Sequence, residues 1–260
     1  MSRAGEIKEK LQNSITAENI LLTALRTPGV KISRSSFLRK ELNTFLSEED
    51  VNRAIRHNPA AVGIPREKMD DLAQKVINLE TSKVTGASVL ASLPAAALPA
   101  AVVGAVTADI VTYFAHIMRV LQMLAYLYGF DEFKLDDEDT DPETMNNIMI
   151  FLGVMFGIRG SGPALSKLAD ATAKHVTKKL VKRRLRKNIV IPEMKKIVAK
   201  IGIKLTKQMI MDAVASAIPV AGSVASGVLM YALFKPRCMK LKRKLMTYPL
   251  CDPVYYKTGE

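Results

Sequence analysis

The chain has 260 residues, and its 38 Lys and Arg against 25 Asp and Glu leave a formal charge of +13 at neutral pH. With 48% apolar residues it can bury enough surface to offset conformational entropy, which excludes disorder as the main state; two cysteines, Cys238 and Cys251, exclude a disulfide-built scaffold. A mean hydropathy of +0.10 beside a pI of about 9.7 combines apolar with cationic segments, which points to a membrane surface or a helical partner before it points to catalysis.

Residues 1–13 read as an N-terminal extension. Arg3, Glu6, Lys8, Glu9 and Lys10 lead into no apolar core of a signal peptide, and no lipidation motif is legible, so a cytoplasmic protein is expected. From 14 to 83 the apolar spacing predicts soluble amphipathic helices. Leu21, Leu22 and Leu25 precede a break at Pro28-Gly29, and Leu38, Leu42, Phe45 and Leu46 recur at helical spacing. Ser47-Glu48-Glu49-Asp50 caps a helix carrying Val51, Ala54 and Ile55, and a helix over 66–79 sets Met69, Leu72, Val76 and Leu79 on one face.

An uncharged run of 25 residues follows, from Val84 to Ala108. It is long enough for a hydrocarbon layer of about 30 Å, yet nine Ala residues, Pro94 and Pro99 thin and interrupt it, so a broken helical hairpin is expected. A denser helix over 109–130 is apolar nearly all round, which marks it as buried in protein or lipid, and Gly129 offers its left-handed C-terminal cap. The acidic loop 131–143 holds eight carboxylates and one lysine; Asp141-Pro142-Glu143 starts the next apolar helix, expected over 144–158 and stopped by Arg159-Gly160-Ser161-Gly162-Pro163.

The charge then inverts. Residues 164–208 carry 14 Lys and Arg against two acids, densest at Lys178, Lys179, Lys182, Arg183, Arg184, Arg186 and Lys187, while Met194, Ile197, Val198, Ile201, Leu205 and Met209 keep a helical stripe. A second uncharged run of 22 residues, 213–234, repeats the broken style with Ile218-Pro219-Val220-Ala221-Gly222 and is followed at once by Lys235, Arg237, Lys240, Lys242, Arg243 and Lys244. Such a belt would hold that end at an anionic cytoplasmic surface. Residues 246–260, with Pro249 and Pro253, read as an irregular tail.

Candidate chemistry is sparse. Asp109, Tyr113 and His116 share a face of the apolar helix with Arg119 flanking; this set reads either as a buried proton-handling or ligand-binding group or, for Asp109, as a helix N-cap, with His116 a hydrogen-bonded core residue. His57, His116 and His175 are scattered and the cysteines are far apart, so no metal site and no cofactor are expected. No nucleophile elbow or phosphate-binding loop is recognisable, and no reaction is specified. For the cations, the partners compared are phospholipid headgroups, the acidic loop or another protein, and nucleic acid. Cationic helices without interleaved aromatics, set between two apolar runs, disfavour nucleic acid and favour lipid.

Thr107-Ala108-Asp109 ahead of an apolar helix that ends Leu124-Ala125-Tyr126-Leu127-Tyr128-Gly129, the acidic loop, a second apolar helix closing at Gly157, and the block from Ile218 to Gly227 together resemble the EcsC family, over roughly residues 20–245. The resemblance implies an all-helical, membrane-associated protein of bacterial type and assigns no activity to particular residues. The expectation is therefore an all-α protein, a single helical bundle over 14–245 with two Pro/Gly-broken apolar hairpins and cationic amphipathic helices. It is expected to act non-enzymatically, peripheral to or partly inserted in an anionic phospholipid membrane, with a membrane protein as a further partner. A pore-forming or toxin-like effector and a soluble binder of lipid or another apolar ligand are the alternatives.

Overall fold

The computed structural model describes residues 17–85, 105–135, 141–177 and 223–257. All of the regular structure among them is helical. In chain order the helices are α1 (Ala17–Leu25), α2 (Arg34–Leu42), α3 (Glu48–Arg56), α4 (Arg66–Thr85), α5 (Ala105–Leu127), α6 (Pro142–Met155), α7 (Ser161–Thr177), α8 (Ser223–Leu245) and α9 (Pro253–Lys257), with 3-10 turns at Ala60–Val62 and Pro249–Cys251.

The all-round apolar helix lies at the centre. α1, α2, α4 and α8 all pack on α5, and from Val111 to Phe130 every side chain is buried except the partly exposed Thr112 and Arg119. Of the two environments that its composition allowed, protein or lipid, this helix has protein. α6 packs between α7 and α8 and adds Ile148, Phe151, Leu152 and Met155 to the core. Aromatic edges lock the junction: Phe151 meets Phe130 and Phe133 at centroid distances of 5.0 and 5.6 Å.

Several helix ends follow their local chemistry. Ser47 accepts the Asp50 amide at 3.1 Å to start α3. Asp141 accepts the Thr144 amide at 2.9 Å and the Thr144 hydroxyl at 2.8 Å, with Pro142 at the first helical position of α6. Burial acts to raise the Asp141 pKa, but these hydrogen bonds outweigh it and hold the carboxyl below its ordinary range. Replacing Asp141 by Ala is expected to cost about 1 kcal/mol, readable as a shifted urea midpoint with an unchanged slope. Gly129 closes α5 at φ +91°, with the Phe130 amide returning to the Ala125 carbonyl at 2.9 Å.

Other ends differ from expectation. α4 runs on to Thr85, past the expected end at 79. α5 is already helical at Ala105, so Asp109 lies inside the helix and is not its N-cap. The stretch from 246, expected to be irregular, carries two short helical segments and buries Tyr248, Leu250 and Cys251. Arg66 holds it by donating to the Met246 carbonyl at 2.9 Å, and Asn58 by donating to the Leu250 carbonyl at 3.1 Å. The N-terminal extension, residues 86–104 of the first expected hairpin, 213–222 of the second and the cationic stretch 178–212 with its dense segment 178–187 lie outside the described residues, and from Ser223 the second run belongs to the single helix α8.

Candidate functional site

Two polar assemblies stand out, one buried and one on the surface. The buried one is built on Glu80. On a 3.6-residue repeat Glu80 falls on the face of α4 that carries Met69, Leu72, Ala73 and Val76, so the helix carries a carboxylate into the core, where it is 1% exposed. α5 meets it with His116 Nδ1 at 2.9 Å from Oε2 and with the Arg119 guanidinium, whose Nε and Nη2 each lie 3.3 Å from a carboxylate oxygen. Lys83, one turn along α4, donates to Oε1 at 2.7 Å. Arg119 also donates through Nη1 to the Gly29 carbonyl, which ties in the turn between α1 and α2. One turn on, Gln122 donates to the Val30 carbonyl at 2.9 Å and accepts the Ile32 amide at 3.0 Å.

Burial acts to raise the pKa of Glu80, but the hydrogen bonds from His116, Lys83 and Arg119 outweigh it and bring the value down to about 2. An ionised carboxylate only accepts, so Nδ1 of His116 carries the hydrogen it shares. A carboxylate held so far below neutral pH and filled with donors is a poor general base. Its chemistry is cohesion of α4, α5 and the α1–α2 turn. The expected buried polar set is thereby sorted. His116 and Arg119 share Glu80; Tyr113, also on α5, is met instead by Arg237 of α8; the Asp109 side chain lies outside the described residues. Leu79, expected on the core face, is 52% exposed, and Glu80 takes the inward position. The spacing 69, 72, 76 continues to Glu80 four residues on, so the sequence does carry a signal for this inward carboxylate.

The surface assembly is the cationic half of α8. Phe234, Cys238, Leu241 and Leu245 form its buried stripe, which divides the six expected lipid contacts into two sets. Lys242 is turned inward, its ammonium 2.9 Å from Asp70 Oδ1 and 3.0 Å from Gln74 Oε1 on α4, with a side chain only 5% exposed. Arg237 lies 4.4 Å over the Phe156 ring and donates to the Tyr113 hydroxyl at 2.5 Å. These two are structural cations, not free surface charge. Lys240 and Arg243 are exposed, and Lys235 and Lys244 are half-buried. Lys235 covers the ring of Tyr231 and donates to its hydroxyl at 3.0 Å, and Lys244 lies 5.3 Å over the Tyr248 ring. Among the described residues no carboxylate lies within 4.0 Å of these four ammonium and guanidinium groups.

No family model, curated protein or solved structure matches this chain. The site is therefore read from its own geometry. Among the described residues no cluster of His, Cys, Asp and Glu has the grouping of a metal site, and no helix is long and apolar enough to cross a membrane. The described part of the acidic loop has an internal partner: Glu132 accepts the Arg34 amide at 3.1 Å at the start of α2, where an anion is favoured by the helix dipole. Both cysteines are buried, and burial pushes the Cys251 thiol up from its ordinary range, the opposite of an activated nucleophile.

Proposed function

We propose that this is a non-enzymatic helical protein of the EcsC type that associates with anionic phospholipid surfaces through its basic helices, peripheral to the cytoplasmic face of a membrane. The observation that carries the reading is the division of charge on α8: cations on its inner arc are consumed by Asp70, Gln74, Tyr113 and Phe156, while the exposed Lys240 and Arg243 and the half-buried Lys235 and Lys244 have no carboxylate partner among the described residues. A chain of net charge +13 that leaves such a row unpaired is complementary to a negative surface. The sequence of 178–187 adds seven more cations of the same kind. In this reading the Pro/Gly-broken runs at 84–108 and 213–234 form small-residue hairpins of one bundle with the basic helices beside them. A membrane-protein partner would be met at the same surface.

The test is co-sedimentation with vesicles. Binding is expected to phosphatidylcholine mixed with phosphatidylglycerol, to be absent with phosphatidylcholine alone, and to be lost near 1 M salt, where the Debye length is about 3 Å. Charge reversal at Arg183, Arg184 and Arg186 is expected to weaken it. Binding indifferent to lipid charge and to salt would remove the reading. Release of dye from sealed vesicles would replace surface docking by insertion.

A further inference from the structure

Resting on the surface-docking reading, we propose that α8 is a jointed helix in which the half before Pro236, residues 223–235, is an arm that swings about Pro236 to lay its apolar side at the headgroup level of an anionic bilayer. The half after Pro236 is the anchor, fixed to the bundle. Proline carries no N–H, so Pro236, inside the helix, leaves the Ala232 carbonyl without its intrahelical donor. Both residues are exposed, and a helix bends more cheaply at such a gap than elsewhere along its length. Contacts from α5 straddle the gap. The Tyr113 hydroxyl accepts from Arg237 at 2.5 Å on the anchor side and donates to the Leu233 carbonyl at 3.4 Å on the arm side. The Phe234 ring, also on the arm, meets the Tyr113 ring edge-on at 5.9 Å. Tyr113 is thus the catch that holds the arm closed against α5.

Packing differs on the two sides of the joint. On the anchor, Cys238, Leu241 and Leu245 are fully buried and the Lys242 ammonium lies 2.9 Å from Asp70. On the arm the cover runs out. Residues 231, 238 and 245 are spaced by close to two turns, so they share one face of the helix. Cys238 and Leu245 on that face are 0% exposed, whereas Tyr231 is 47% exposed. The side of α8 that is core behind the joint therefore carries an uncovered aromatic ring ahead of it, and a ring with a polar tip settles at headgroup depth. The charge changes at the same place: the uncharged run 213–234 ends beside the joint, and six cations follow between Lys235 and Lys244. Charge complementarity selects an anionic bilayer as what covers the arm. At 1.5 Å per residue the arm is about 20 Å long, short of a hydrocarbon layer of about 30 Å, so it lies along the interface and does not cross.

The chain contains no tryptophan, so Tyr231→Trp in the 260-residue chain reports the arm alone. On vesicles of phosphatidylcholine mixed with phosphatidylglycerol its emission is expected to shift to shorter wavelength and to be quenched by brominated acyl chains. Adding Pro236→Ala restores the missing N–H and stiffens the joint; the shift and the quenching are then expected to be lost, with salt-sensitive binding and helical circular dichroism retained. Tyr113→Phe removes the hydroxyl and keeps the ring, and loosening the catch in this way is expected to strengthen vesicle binding about fivefold, the factor for one hydrogen bond. An emission shift that survives Pro236→Ala, or an unshifted indole in a Tyr231→Trp chain that binds, overturns the joint and leaves the docking reading standing. Vesicle binding left unchanged by Tyr113→Phe overturns the catch in the same way. Absence of binding by the parent chain overturns both readings.

Discussion

Replacing Glu80 by Gln is expected to cost about 3–5 kcal/mol of folding stability, because it leaves the buried His116 and the partly exposed Arg119 side chains facing a buried group that no longer carries the opposing charge. Lys83 is 41% exposed and contributes least, since water screens its interaction. The pH dependence follows from the sign of the shift. The folded pKa of Glu80 is about 2, below its ordinary value of 4.5, so its stabilisation is fully present above the unfolded value and is lost as pH falls through the folded one. Urea denaturation at pH 7 and near pH 3 reads this directly: the gap between parent and Glu80→Gln is expected to be large at the first and to narrow at the second. An equal gap at both would mean that the cluster stabilises through packing and not through charge. Removing the whole cluster with Glu80→Leu, His116→Phe and Arg119→Met should cost much less than the single change, since no buried ion is then stranded.

Gly129→Ala is expected to destabilise by a similar amount for a different reason. The left-handed backbone at φ +91° costs an L side chain about 1–2 kcal/mol. The new Cβ would also fall on the side-chain amide of Asn58, which is fully buried. That amide donates to the Leu250 carbonyl at 3.1 Å and to the Tyr256 hydroxyl at 3.2 Å, and its oxygen accepts the Ala60 amide at 2.7 Å. Displacing it strands buried polar groups at about 1–3 kcal/mol each. Gly63→Ala is the natural comparison: φ is +86°, but nothing lies within 4 Å of its Cβ, so only the backbone term applies. A melting temperature that falls several degrees further for Gly129→Ala than for Gly63→Ala isolates the part played by Asn58, and equal falls would refute it.

Much of the local structure was legible. The caps at Ser47 and Asp141 and the stop at Gly129 use interactions within a few residues, which sequence spacing records. The buried cluster was half legible. Spacing marks His116 and Arg119 as polar residues on an apolar helix and offers His116 a partner on the same helix at Asp109, whereas the partner of both stands on α4. Sequence spacing describes one helix at a time, and the Glu80 pair is separated by 36 residues. The start of α5 differs for a related reason: an acidic residue ahead of an apolar run resembles a cap, and nothing local reveals that the helix already exists at Ala105.

Composition and periodicity alone established that the chain is helical, that it is basic, and that α5 is buried, since a helix apolar on all sides must be surrounded. They also placed the cations of α8 in a single belt. Which of those cations belong to the interior was decided only in three dimensions, when α4 presented Asp70 and Gln74 to Lys242, and when Tyr113 and Phe156 met Arg237. A charge has the same identity in sequence whether it is paired or free. Its role depends on the dielectric and the partners that packing places around it.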